Sequence, residues 1–167
     1  MEGISGYVAN QFGFSETGRF LLEKMIKPRV RAIGINVYDP FEECEKELDL
    51  EHLSKLEKYS ERLEYMQKFG HKITHINNAL MKKSNCMIAI LDGGHTVDDG
   101  VASEIGYFAG IEQGPIFALR TDFRLVESMA NTVNWQIIGY IEQSKGKLVN
   151  SKEEYFSEIR KWYDSLK

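Results

Sequence analysis

The sequence predicts an α/β fold: a mostly parallel, five-stranded sheet with helices on both faces. Three observations predict it. Short apolar runs alternate with longer segments of helical period along the whole chain. Strands that alternate with helices connect by right-handed crossovers, which make parallel sheets. The run Cys86-Met87-Ile88-Ala89-Ile90 is apolar at every position, as a strand buried on both faces should be.

In chain order, Ile4 to Ala9 reads as the first strand. Ser15 can cap a helix that carries Phe20, Leu21, Met25 and Ile26, and Lys27-Pro28 is expected to close it. Ile33, Ile35 and Val37 alternate, which predicts a strand over Arg31 to Tyr38. From Glu45 to Phe69 the pattern is helical, with Leu53, Leu56, Leu63 and Met66 on one stripe and Gly70 as the stop. A second helix is expected from about His71 to Lys83. Cys86 to Leu91 is the third strand, Val101 to Gln113 the next helix and Ile116 to Leu119 the fourth strand. Ile137 to Ile141 reads as the fifth strand. Ser151 caps a final helix with Tyr155, Phe156, Ile159 and Trp162 on its apolar side.

The chain has 167 residues, enough for one domain, and neither a repeat nor a Pro/Gly-rich linker divides it. A net charge of -4, with both signs interspersed, leaves no basic footprint for a nucleic acid polymer. No apolar run is long enough for a membrane span and the N-terminus has no leader pattern, so a cytoplasmic protein is expected. Of the two cysteines, Cys44 and Cys86, the second lies in an apolar strand and is expected to be a buried thiol. His71 and His75 have a helical ligand spacing but no third partner, and no metal site is expected there.

In parallel sheets, ligands bind beyond the carboxyl ends of the strands. That rule brings Tyr7–Phe14, the Asp39 loop, Leu91–Gly100 and Arg120–Arg124 to one rim. The segment "LDGGHTVDDGVASEIG" then carries the chemistry. Glu104 lies three residues after Val101 and four before Phe108, so it borders the apolar face of its helix. Desolvation raises the pKa of such a carboxyl, whereas a helix N-terminus favours the ionised form. An ionised, poorly hydrated carboxylate at this rim can act as a nucleophile. Asp98 and Asp99 also suit plain turn and cap roles. His95 is read as an exposed loop residue. Asn77, four after Ile73 and three before Leu80, should face inward, as a structural tie or as a ligand contact. Arg120 and Arg124 can bind a 5′-phosphate or simply pair with Asp122.

Several stretches together resemble the nucleoside 2-deoxyribosyltransferase family. "DDGVASEIGYFAG" is similar to the family segment in which an Asp precedes the nucleophilic Glu by six positions, with a Gly between, and Asp98, Gly100 and Glu104 fit. "GYVANQFGFSE" is similar to its opening strand and loop, which puts Tyr7 on the site tyrosine and Phe14 at the substrate rim. "SNCMIAILDG" resembles the strand entering the site. "VNWQ" resembles a segment whose Asn, here Asn134, reaches a neighbouring subunit's site. The resemblance implies a flavodoxin-like sheet and a homo-oligomer with shared active sites, acting on nucleosides and free nucleobases without a metal or organic cofactor. It further implies exchange of bases on 2-deoxyribose through a covalent glutamyl-sugar intermediate, with retention at the anomeric carbon. Glu104, Asp98 and Tyr7 would be catalytic, with Asn77, Gly100, Asn134 and Phe14 binding substrate. Two features depart from the pattern. Many members have an Asp at the position of Asn77, and the best-known members end in an aromatic residue whose carboxylate enters the site, whereas this chain continues into "EEYFSEIRKWYDSLK". A hydrolase of nucleotides or modified nucleosides, and a nucleoside-binding module with little turnover, are the competing expectations.

Overall fold

The interior strand β1, Ser5–Asn10, is buried at all six positions. It is flanked on one side by β2, Asn36–Tyr38, and on the other by β3, Cys86–Ile90. β4, Ile116–Leu119, and β5, Lys147–Val149, complete a five-stranded sheet in the order β2-β1-β3-β4-β5, with every pairing parallel. These relations come from a computed structural model that describes residues 3–126 and 129–167. The order reverses between β1 and β3, so the switch point where such sheets hold ligands lies at the ends of these two strands.

Alternation along the strands divides the core into two layers. Tyr7, Ala9, Met87 and Ala89 face one layer with Leu80, Ile105, Phe108 and Ile141. Val8, Ile88 and Ile90 face the other with Leu22, Ile26, Val30, Tyr155 and Ile159. Helices therefore cover both faces, as the sequence predicts.

Several boundaries differ from expectation, each for a local reason. Pro28 does not end the first helix. α1, Glu16–Leu21, passes through a π turn, Leu22–Ile26, into α2, Lys27–Ile33. In the wider turn the Lys27 N–H reaches back to Leu22, and Pro28, which has no N–H, falls in the first turn of α2. Leu22, Ile26, Val30 and Ile33 form its buried stripe, while Phe20 points outward. The second strand is consequently three residues long. Its alternating Ile33 belongs to the helix, which Gly34 ends in a left-handed conformation at φ 110°.

The long helical stretch begins earlier and is broken differently. Asp39 caps α3, Pro40–Glu47, and Asp49 caps α4, Leu50–Lys55, through bonds from Phe41 N at 2.9 Å and His52 N at 2.8 Å. α5 then runs unbroken through Tyr59–Lys83. Gly70 lies within it with open space around its Cα, because a helical glycine lowers stability without forcing a stop.

The expected strand Ile137–Ile141 is helical. It lies in α7, Trp135–Gln143, where Ile137 and Ile141 are buried one turn apart and Asn134 caps through Gln136 N at 2.9 Å. The fifth strand is the next segment, Lys147–Val149, aligned with Phe117–Leu119. α6, Asp99–Gly110, and α8, Lys152–Ser165, agree with expectation. Among the described residues, no helix is long and apolar enough to cross a membrane.

Candidate active site

A cavity of about 240 Å³ opens beside the switch point, and α3, α5 and α6 form its walls. Asn10 at the end of β1 begins it. The Asn10 amide accepts from Gly13 N at 3.2 Å and donates to Val8 O, which folds the 3-10 turn Phe12–Phe14. That turn presents Phe14, which is 77% exposed, edge-on to Phe41 with the ring centroids 4.9 Å apart. Gly13 permits this packing, since a Cβ there would lie 2.4 Å from the Phe41 ring.

The wall on α3 is tied down by a buried cation. Lys27 is fully buried, and its ammonium reaches Asp39 at 3.0 Å and Glu23 and Glu42 at 2.5 Å each. Burial alone would lower the Lys27 pKa; the three carboxylates outweigh it and hold the ammonium at about 12. Glu23, Asp39 and Glu42 have the spacing of a metal cluster, but the ammonium takes the cation's place among them. Asp39 uses its other oxygen to cap α3, so the cluster fixes where Pro40, Phe41 and Cys44 stand.

Asp98 caps α6 through Val101 N at 3.1 Å and also lines the cavity. Gly100 follows on the same wall, where a Cβ would meet Asp98 Oδ1 at 3.0 Å. Glu104 comes in the second turn, beyond the reach of most of the helix-terminus effect. It is held by residues distant in sequence. Tyr7 Oη donates to Glu104 Oε1 at 2.5 Å, and Asn77 Nδ2 donates to the same oxygen at 3.1 Å. No hydrogen bond among the described residues engages Oε2.

The balance left open by the sequence is decided by burial. Desolvation raises the Glu104 carboxyl to about 7, with the nearby Asp98 charge adding to it, against the lowering effect of the Tyr7 and Asn77 hydrogen bonds. Burial and the neighbouring carboxylate push the Tyr7 phenol far above its usual range, so it stays a neutral donor. Cys44 Sγ lies 3.8 Å from Asn77 Oδ1, and burial and nearby carboxylates raise its thiol pKa.

Six of the seven residues singled out from the sequence thus meet: Tyr7 and Asn77 both donate to Glu104, and Phe14, Asp98 and Gly100 line the same cavity. Asn134 does not join them within this chain. It lines a separate groove with Asp99, Ala102, Ile137 and Tyr140, on another side of α6. Arg120 and Arg124 do not form a phosphate site. Arg120 is buried and donates to the carbonyls of Leu91, Gly94 and His95, while Arg124 pairs with Asp122. His95 is exposed and contacts Leu125 O.

Sequence reasoning overlooked Asn10, Phe41, Cys44 and Ile73 as lining residues. The Asp39-Pro40 cap was a usable signal, because it starts a helix at the rim and sets Cys44 in its second turn.

The sequence model of a family described as Nucleoside 2-deoxyribosyltransferase matches residues 7–152. Among solved structures, the chain is similar to a 2-desoxiribosyltransferase from Leishmania mexicana. The TM-score is 0.63 at 15% identity, over 95% of this chain and 97% of that one, a likeness of fold. No curated protein sequence matches significantly.

Proposed function

The chain belongs to the nucleoside 2-deoxyribosyltransferase family, and from that premise we propose that it exchanges nucleobases on 2-deoxyribose, with Glu104 as nucleophile. The observation that carries the reading is the convergence of two donors on Glu104 Oε1 at the wall of a cavity, with no hydrogen bond to Oε2 among the described residues. A carboxylate held by one oxygen keeps the other free to attack.

In the first step a Glu104 oxygen lone pair forms a bond to the anomeric carbon. The C–N glycosidic bond breaks, its electron pair leaves with the base nitrogen, and that base takes up a proton. In the second step a nitrogen of the incoming base attacks the same carbon, loses its proton and releases the carboxylate. Two inversions give retention, the logic of retaining carboxylate chemistry on sugars. Tyr7 and Asn77 hold Glu104 in its attacking orientation, which shortens the search for a reactive geometry. Asp98, from its cap position, takes the 5′-hydroxyl side of the sugar. Gly100 leaves room beside it, and the exposed face of Phe14 stacks on the base. Asn134 acts on the cavity of a neighbouring copy.

Incubation with a deoxynucleoside, with and without a second free base, tests the reading by chromatography. Exchange that requires the second base is expected, and Glu104→Ala should abolish it while the circular dichroism spectrum is retained. Base release without an acceptor would replace transfer by hydrolysis. Ligand binding without either product would reduce the chain to a binding module. Normal turnover by folded Glu104→Ala would remove the nucleophile.

A further inference from the structure

A carboxamide is nearly symmetric in shape, so the orientation of Asn77 is set by what its two ends meet. Its nitrogen donates to Glu104 Oε1 at 3.1 Å, and its oxygen lies 3.8 Å from Cys44 Sγ. These are its only side-chain hydrogen bonds among the described residues. All three side chains line the one cavity, on three different helices.

The two orientations have opposite effects on the nucleophile. With nitrogen toward Glu104, the amide stabilises the carboxylate. Turned over, its oxygen faces Oε1 and can accept a hydrogen bond from the neutral acid, which stabilises the form that cannot attack. A donor at the far end of the amide biases the choice, because it engages the carbonyl oxygen whatever the state of Glu104. We infer that Cys44 is a positioning residue: its thiol proton holds Asn77 Oδ1 and thereby keeps the amide nitrogen on Glu104. This deepens the reading above and rests on it for the role of Glu104.

The titratable groups around Glu104 leave this contact room to matter. Tyr7 approaches from β1, Asp98 from the start of α6, and Cys44 from α3 with Asp39 behind it; α5 contributes the neutral Asn77. None of them is a cation, and Lys27 is taken up by Asp39, Glu23 and Glu42. The carboxylate form of Glu104 is therefore favoured by hydrogen bonds alone.

The test follows the Glu104 carboxyl by ¹³C NMR of protein labelled at glutamate, with the resonance assigned by its loss in Glu104→Gln. Cys44→Ala should raise the titration midpoint by about 0.3–1 pH unit, the size expected for one modest hydrogen bond. In an Asn77→Ala background, Cys44→Ala should add no upward shift. The direction separates this role from a packing role, because a truncated wall admits water and lowers the midpoint of a desolvated acid. An unchanged or lowered midpoint in folded Cys44→Ala would overturn the inference, as would the same rise without the Asn77 amide. The NMR shift does not depend on turnover. A chain with no exchange activity but the expected cycle would sink the proposed reaction and spare the positioning. An active enzyme with unmoved midpoints would do the reverse.

Discussion

At the residue scale, Glu104 holds opposed demands. Its carboxyl sits at about 7, raised chiefly by desolvation from the ordinary 4.5. Below about pH 4.5 it is protonated in both native and unfolded chains. Between about 4.5 and 7 the unfolded chain ionises first, so the native state loses relative stability as pH rises, on the order of 3 kcal/mol in all, and then levels off. Glu104→Gln should lack this loss, so urea midpoints of the two proteins should diverge between pH 5 and pH 8 in favour of the variant. On the proposed mechanism, exchange should follow the opposite course, with kcat/KM rising through about pH 7 as Glu104 ionises. Asn77→Asp brings a second carboxyl to the oxygen now bonded at 3.1 Å. Two such groups share one proton and titrate as a pair. The variant should acquire a bell-shaped pH–rate profile and gain about tenfold or more near pH 5–6, where the shared proton can pass to a departing base. An unchanged profile in a folded variant would contradict this. The inward positions of Glu104 and Asn77 were legible from their spacing to Val101, Phe108, Ile73 and Leu80. Their meeting was not, because the bonds to Glu104 span 97 and 27 positions of sequence.

At the element scale, legibility followed burial. β3 and β4 are apolar at every position, β1 carries the apolar core Tyr7-Val8-Ala9 and α8 an apolar stripe, and all four could be read directly. β5 has three residues with one buried, too little for a strand signal, and the apolar Ile137-Ile138 pair beside it drew the assignment to what is α7. The joint between α1 and α2 shows why a proline is an uncertain stop: a π turn ahead of Pro28 removes the conflict. The real stop is Gly34. A Cβ there would need a left-handed backbone and would lie 2.3 Å from the Tyr163 hydroxyl of α8. Gly34→Ala should cost about 1–3 kcal/mol and lower Tm by roughly 3–10 °C in a calorimetric scan. Pro28→Ala, on the exposed side of the same helix, should stay within about 0.5 kcal/mol of the parent.

At the scale of the whole molecule, the alternation of strands and helices was enough to give a parallel sheet covered on both faces, since right-handed crossovers leave few alternatives. What one chain's alternation cannot convey is a second chain. Asn134 stands apart from the Glu104 cavity, and Phe123, Met129 and Trp135 are 88%, 97% and 60% exposed in that part of the sequence. We expect light scattering to show at least a dimer, and Trp135→Glu to lower both its mass and its exchange rate by about tenfold or more. A fully active monomer would contradict shared sites. The interior place of β1, between β2 and β3, bears finally on how the protein is made. Its Gly6 pairs with Cys86, some 80 positions further along the chain. Ribosomes add about 5–20 residues per second, so the nascent strand waits roughly 4–16 s before that partner exists. Through that interval the strand carrying Tyr7 has an open hydrogen-bonding edge, the kind of surface that seeks another chain. The strand that brings Tyr7 to Glu104 is thus also one in need of shielding on a crowded polysome.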